Sequence, residues 1–154
     1  MWRYIFGVDL IKRITTRSGA VDEPLMLMLA EPRRVNLHVR DGMWLRLVDV
    51  PAALSGRAYA ADDSIVIEVT DEFIPDAGGR WRLTTAAGEG AVEPSSDPAD
   101  LVLHTNDLAS AYLGGFTFGA LARAGRGTEF TPGARARADA MFASREPAWC
   151  PQIF

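Results

Sequence analysis

Between Met43 and Leu103 the apolar residues fall at alternate positions in short runs, and after Thr105 they fall at helical spacing. That single change of period predicts an α+β fold, a mostly antiparallel sheet covered by helices. Met43 to Val50 is the most regular stretch, with Met43, Leu45 and Leu47 on one side and Trp44, Arg46 and Val48 on the other. Pro51 then predicts a helix over Ala52 to Tyr59, because the first helical turn tolerates a missing N–H. Ile65 to Val69 is apolar on both faces except at Glu68, the pattern of a central strand. Gly78-Gly79 turns the chain into Arg80 to Thr85, with Trp81 and Leu83 inward. Gly88 to Pro94 and Leu101 to Leu103 add two more strands. Asn106 or Asp107 should cap a helix running to Leu113, since a short oxygen-bearing side chain accepts from the first free N–H groups. Further helices are expected from Thr117 or Phe118 to Arg123, and from Ala134 to Phe142 with Ala138, Met141 and Phe142 on one stripe.

Residues 1 to 40 follow no such plan. They read as a helix from Trp2 to Leu10, a strand from Lys12 to Arg17, a short helix from Leu25 to Leu29, and a strand from Val35 to Arg40. Asp22-Glu23-Pro24 suits the start of the second helix and Pro32 its end. The apolar residues here have few partners of their own. We therefore expect two parts, 1–40 as the end of another domain and 41–154 as a domain of its own.

Composition removes several function classes. Hydrophobic residues make up 48% and charged residues 23%, enough apolar mass for a packed core. A formal charge of −4 argues against nucleic acid as a partner. No apolar run reaches the ~20 residues of a membrane span, and the first residues lack the layout of a secretion signal, so a cytoplasmic location is expected. Lys12 is the single lysine and Cys150 the single cysteine. Cys150 reads as a buried, inert thiol, with His38 and His104 both distant in sequence. The two histidines lack metal-ligand spacing, so no metal is expected, and His104 at a strand end reads as structural. The Arg33-Arg34 pair reads as solvated surface.

The sequence closes on Trp149-Cys150-Pro151-Gln152-Ile153-Phe154. Chain ends usually carry polar residues, because ordering them costs backbone entropy for few contacts. An apolar tail should insert into a pocket and take an α-carboxylate with it. That group has an ordinary pKa of about 3.5, so it arrives ionised and able to accept a proton. Phe154 is thus a candidate general base, and the alternative is a tail that closes a core with its carboxylate left outside.

The run Met43-Trp44-Leu45-Arg46-Leu47-Val48-Asp49-Val50-Pro51-Ala52-Ala53-Leu54, taken with Phe154, resembles the last part of the enhanced intracellular survival (Eis) family of bacterial acetyltransferases. Asp107-Leu108-Ala109-Ser110-Ala111-Tyr112-Leu113-Gly114-Gly115 and Ala120-Leu121-Ala122-Arg123-Ala124-Gly125 look like the helical half of a sterol-carrier-protein-type domain, with which that family ends. The resemblance implies that residues 1–40 are the remnant of a GNAT-like acetyltransferase domain and 41–154 a sterol-carrier-protein-like domain. It implies acetyl-CoA-dependent N-acetylation of amines such as aminoglycosides, with the Phe154 carboxylate reaching the active site of a GNAT domain absent from this chain. Asp41 and Asp49 can then bind a cationic amine, or they serve only in a turn and a helix cap. The family holds acetyl-CoA on a Gln/Arg-x-x-Gly-x-Gly/Ala loop at a helix start. The nearest string here, Ala122-Arg123-Ala124-Gly125-Arg126-Gly127, lacks the leading residue and follows a helix, so no cofactor is expected on this chain alone. The implied partners are the missing GNAT domains, or a chain carrying them, and further copies in a homo-oligomer. The competing functions are a sterol- or lipid-binding module and a structural oligomerisation domain.

Overall fold

The computed structural model describes residues 1–151, in two compact units. One comprises Leu45–Ala148 and the other Met1–Trp44 with the segment from Trp149 onward.

The larger unit is a five-stranded sheet with helices packed on one face. In chain order it runs α3 (Val50–Ser55), β1 (Asp63–Thr70), β2 (Gly79–Ala86), β3 (Glu89–Pro94), β4 (Leu101–His104), α4 (Thr105–Tyr112), α5 (Phe118–Arg123), β5 (Thr128–Glu129) and α6 (Ala134–Phe142). The strand order is β3-β2-β1-β4-β5. β1 is the middle strand, as its two apolar faces predicted. Its inner face presents Ile65, Ile67 and Val69, and the antiparallel register with β2 sets Leu83 opposite Ile65 and Trp81 opposite Ile67. Three pairings are antiparallel, whereas β1 and β4 run parallel, with Ile67 opposite Leu101 and Val69 opposite Leu103. A parallel neighbour needs a crossover, and here the β2–β3 hairpin supplies it.

The core lies between this face and the helices. Leu54 from α3, Leu108 and Ala111 from α4, Phe118 and Leu121 from α5, and Ala138, Met141 and Phe142 from α6 close over the strands. Phe142 meets Tyr59 and Phe118 edge to face, with ring centroids 5.4 and 5.0 Å apart. Those separations suit the aromatic quadrupole. Gly90 on β3 admits this packing, because a Cβ there would sit 2.5 Å from the Tyr59 ring and 3.1 Å from the Leu54 carbonyl. The opposite face is polar. Glu68 and Arg80 pair across β1 and β2, Arg82 pairs with Asp97, and Asp100 closes over Val66 by accepting its N–H at 2.8 Å.

Several expectations need correction. Met43 to Val50 is not a strand: residues 41–47 are irregular, and α3 begins at Val50. Alternation makes a strand only where a neighbour takes its N–H and C=O groups, and no described residue pairs with this stretch. Leu47 and Val50 anchor it in the core, while Trp44 and Val48 stay exposed. α3 also stops at Ser55, four residues before the expected end.

In the smaller unit, α1 spans Trp2–Phe6 and α2 Leu25–Met28, followed by a 3-10 turn at Pro32–Arg34. The stretches expected as strands, 12–17 and 35–40, are irregular, again with no pairing partner among the described residues. Trp2 stacks on Phe6 and donates its indole N–H to Glu23 at 2.5 Å. It is the one buried apolar residue of positions 1–44.

Candidate functional site

Every helix end leaves backbone groups without intrahelical partners, and the larger unit gathers three helix C-termini around one arginine. Arg57 follows α3 directly. Its Nη1 donates to the Tyr112 carbonyl at 2.6 Å, its Nη2 to the Phe142 carbonyl at 3.1 Å, and its Nε to the Ala58 carbonyl at 3.1 Å. Tyr112 and Phe142 are the last residues of α4 and α6, so the cation sits on the negative ends of two helix dipoles. The guanidinium also lies over the Phe142, Tyr59 and Tyr112 rings, 4.3, 4.8 and 5.7 Å from their centroids. The third end is closed by the tyrosines themselves: Tyr59 donates its hydroxyl to Leu54 at 2.6 Å and Tyr112 to Ala53 at 2.8 Å. Burial lowers the Arg57 pKa and raises that of Tyr59, so the phenol stays protonated and keeps donating.

A shallow cleft opens beside this cluster, lined by Arg57, Tyr59, Leu113, Ala143, Ser144 and Arg145 among others. A second lies over the polar face of the sheet between Glu68, Arg80, Val102 and Phe130.

A second polar cluster stands at the C-terminal ends of the parallel strands β1 and β4. The Asp71 carboxylate is fully enclosed, accepting N–H groups of Ile74 and Phe73 at 2.8 and 2.9 Å and the Arg46 Nη2 at 2.6 Å. The Ile74 N–H first, then the Thr105 hydroxyl, the Phe73 N–H and Arg46, hold its pKa below the usual carboxylate value against the opposing effect of burial. Next to it, His104 caps α4, its Nδ1 accepting the Asn106 N–H at 3.1 Å. That bond assigns the neutral ring's proton to Nε2, 2.8 Å from Glu72. Glu72 is correspondingly held below its ordinary pKa, chiefly by this hydrogen bond. Asp107 and Arg126 pair at 2.5 Å one turn further on.

The residues singled out in the sequence do not converge on either cluster. Asp49 is the N-cap of α3, its Oδ1 accepting the Ala52 N–H at 2.9 Å. Asp41 is exposed on irregular chain in the smaller unit. Phe154 lies outside the described residues. The tail before it has Trp149 47% exposed and Cys150 half-buried. His104, not Asn106 or Asp107, caps α4. The Ala122–Gly127 string is the C-terminal end of α5 and the turn after it, with Gly125 and Gly127 at positive φ. Among the described residues no group of three His, Cys, Asp or Glu side chains could hold a metal ion, and no helix is long and apolar enough to cross a membrane. Arg57 and Asp71 had no signal in the sequence, because their partners are backbone carbonyls and amides distant along the chain.

Residues 50–151 match the model of the sterol carrier protein domain, and residues 1–47 that of an acetyltransferase (GNAT) domain. The chain belongs to the sterol carrier protein domain family, in the form carried by Eis-like N-acetyltransferases. Its relatives include an uncharacterized N-acetyltransferase of Streptomyces coelicolor, 42% identical over the whole of this chain and 37% of that protein. The N-acetyltransferase Eis of Mycobacterium tuberculosis is 35% identical over 96% of this chain and 36% of its own length. Among solved structures, Eis1 from Mycobacterium abscessus superposes with a TM-score of 0.87 at 32% identity, covering 99% of this chain and 39% of that one. A GCN5-related N-acetyltransferase from Anabaena variabilis gives 0.72 at 27% identity, covering 88% and 34%. This sterol-carrier-type chain thus spans little more than a third of the curated relatives it matches.

Proposed function

We propose that this chain is the C-terminal portion of an Eis-like, acetyl-CoA-dependent N-acetyltransferase. On this reading, residues 1–40 complete a GNAT-like domain and 41–154 form the sterol-carrier-like domain. The observation that carries the proposal is the order of the two matches: a GNAT segment at 1–47 runs directly into a sterol-carrier domain at 50–151, within relatives named as N-acetyltransferases. Acetyl-CoA binds the missing GNAT domains, supplied on the same polypeptide or by a partner chain. The Phe154 carboxylate then takes a proton from the ammonium of an amine substrate, freeing the nitrogen to attack the thioester carbonyl; coenzyme A leaves as the thiol. Aminoglycosides are the substrate class, drawn by carboxylates such as Asp41 and Asp49, and the working protein is a cytoplasmic homo-oligomer. The space between sheet and helices is filled by Phe118, Phe142, Met141 and Leu108, which supports this reading over a lipid carrier.

The test joins the chain to the remaining, amino-terminal part of the Streptomyces coelicolor relative and measures thiol release from acetyl-CoA with an aminoglycoside. Acetylation is expected only when both parts are present. Amidating the Phe154 carboxylate should then lower turnover by about 10²-fold, within the range of general-base catalysis. Amidation removes the charge and keeps the aromatic ring. Equal rates for amidated and native protein would reduce the tail to a plug.

A further inference from the structure

Two arginines, Arg57 and Arg145, line the cleft that opens after α3, and no carboxylate side chain among the described residues does. Three of the five guanidinium N–H groups of Arg57 are taken by backbone carbonyls. The two helix ends beneath it offset about one unit of charge, at roughly half a unit per terminus. Arg145, exposed on the same cleft, has no ion pair among the described residues, and no carboxylate side chain lines the cleft. The remaining wall is Ala58, Tyr59, Ala60, Leu113, Ala143 and Ser144, whose hydroxyl donates to the Glu146 carbonyl at 2.6 Å. With Arg57 offset by the helix ends, the cleft's remaining cation is the Arg145 guanidinium.

We infer that this cleft is an oxyanion site, taking the phosphate or carboxylate group of a small ligand. Arg57 is the fixed member. Its side chain is held by three hydrogen bonds and lies over three rings, so it loses little further rotamer entropy on meeting an anion, and two of its N–H groups have no acceptor among the described residues. Arg145, exposed on the same cleft, is the second member. A charged donor pair of this kind recognises oxyanions by short, charge-assisted hydrogen bonds. The apolar wall of Leu113 and Ala143 accommodates a short hydrocarbon stem. The site lies wholly within Leu45–Ala148 and is independent of the acetyl-transfer reading.

The experiment titrates the full chain with inorganic phosphate and, separately, with butyrate, following the Arg57 Nε–H signal and the amides of 143–145 by NMR. Saturable shifts with a millimolar or tighter Kd are expected from at least one anion, and which one responds separates a phosphate source from a carboxylate source. Arg145→Gln leaves the Arg57 bonds to Tyr112 and Phe142 in place and should raise that Kd at least fivefold. A sodium chloride control at equal ionic strength separates binding from screening. Non-saturable shifts with both anions, shifts reproduced by chloride, or an unchanged Kd in Arg145→Gln would each overturn the inference.

Discussion

Replacing Arg57 with methionine removes the cation while keeping most of the stem volume, and the structure sets the scale of the damage. Two hydrogen bonds from a charged donor tie α4 and α6 to the segment after α3. Bonds to charged groups contribute about 1.5–3 kcal/mol each, and their loss leaves the Tyr112 and Phe142 carbonyls short of a partner. The contact with the Phe142 ring adds about 0.5–1 kcal/mol for a partly exposed cation. Against this stands the relief of desolvation, which is why the guanidinium pKa is lowered in place. At the low end of each range the loss is about 3.5 kcal/mol, and the relief takes back roughly 1 kcal/mol. The net is about 2–3 kcal/mol. For a folding unit near 100 residues that lowers Tm by on the order of 10 °C. Arg57→Lys should recover less than half, because an ammonium cannot reach two carbonyls with the planar fork of a guanidinium. Thermal unfolding followed by near-UV circular dichroism reads the packing of Tyr59, Tyr112 and Phe142 directly. An Arg57→Met protein within 0.5 kcal/mol of the parent would refute the assignment of these helix ends to one arginine.

Two other perturbations follow from the same rule that helix ends need partners. Asp139 on α6 accepts the Phe118 and Gly119 N–H groups at 2.5 and 3.2 Å, supplementing Thr117 at the start of α5; Asp139→Ala should cost about 1–2 kcal/mol in urea unfolding, with Asp139→Asn milder. Because the folded Asp71 pKa lies below its unfolded value, its contribution to stability is present above the ordinary carboxylate pKa and is lost as pH falls through the folded one. Stability of the parent should therefore drop on acidification below about pH 4, and Asp71→Asn should flatten that limb while lowering stability at neutral pH. An acid limb of equal slope in both proteins would show that Asp71 carries none of it.

Legibility in the sequence followed how locally each element is determined. α6 was readable to the residue because Pro132-Gly133 fixes its start and its buried stripe is its own. β1 was readable because Ile65, Ile67 and Val69 alternate toward the helices and Val66 is buried on the other face as well. β5, two residues long, carries too little pattern to register and exists only by pairing with Leu101 and Val102. The parallel β1–β4 contact was equally silent, since alternation is the same for either direction of the neighbour. The error at Met43–Val50 has the same origin. Its alternation is real, yet Leu47 and Val50 bury at helical spacing as the chain turns into α3. At the candidate sites, Asp49 was read correctly as a possible cap, whereas the role of His104 as cap was missed because imidazole rarely replaces a hydroxyl or carboxylate there.

The two units satisfy burial in different ways, and the difference bears on function. Leu45–Ala148 contains nearly all the buried apolar side chains, together with its own helix caps and ion pairs. Positions 1–44 bury Trp2 while Tyr4, Leu10, Leu27, Val39 and Trp44 remain largely exposed. Ordering a residue costs about 1–2 kcal/mol in backbone entropy, and burying apolar area returns only about 25 cal/mol per Å². α1 and α2, of five and four residues, are far below the roughly 12 residues at which an isolated helix becomes even marginal. Local propensity therefore does not hold this segment, and neither does its own core. What would hold it is apolar surface from another body of protein, the demand that a GNAT domain completed by residues 1–40 would meet. The sterol-carrier unit makes no such demand, because its apolar side chains are buried in a core of its own.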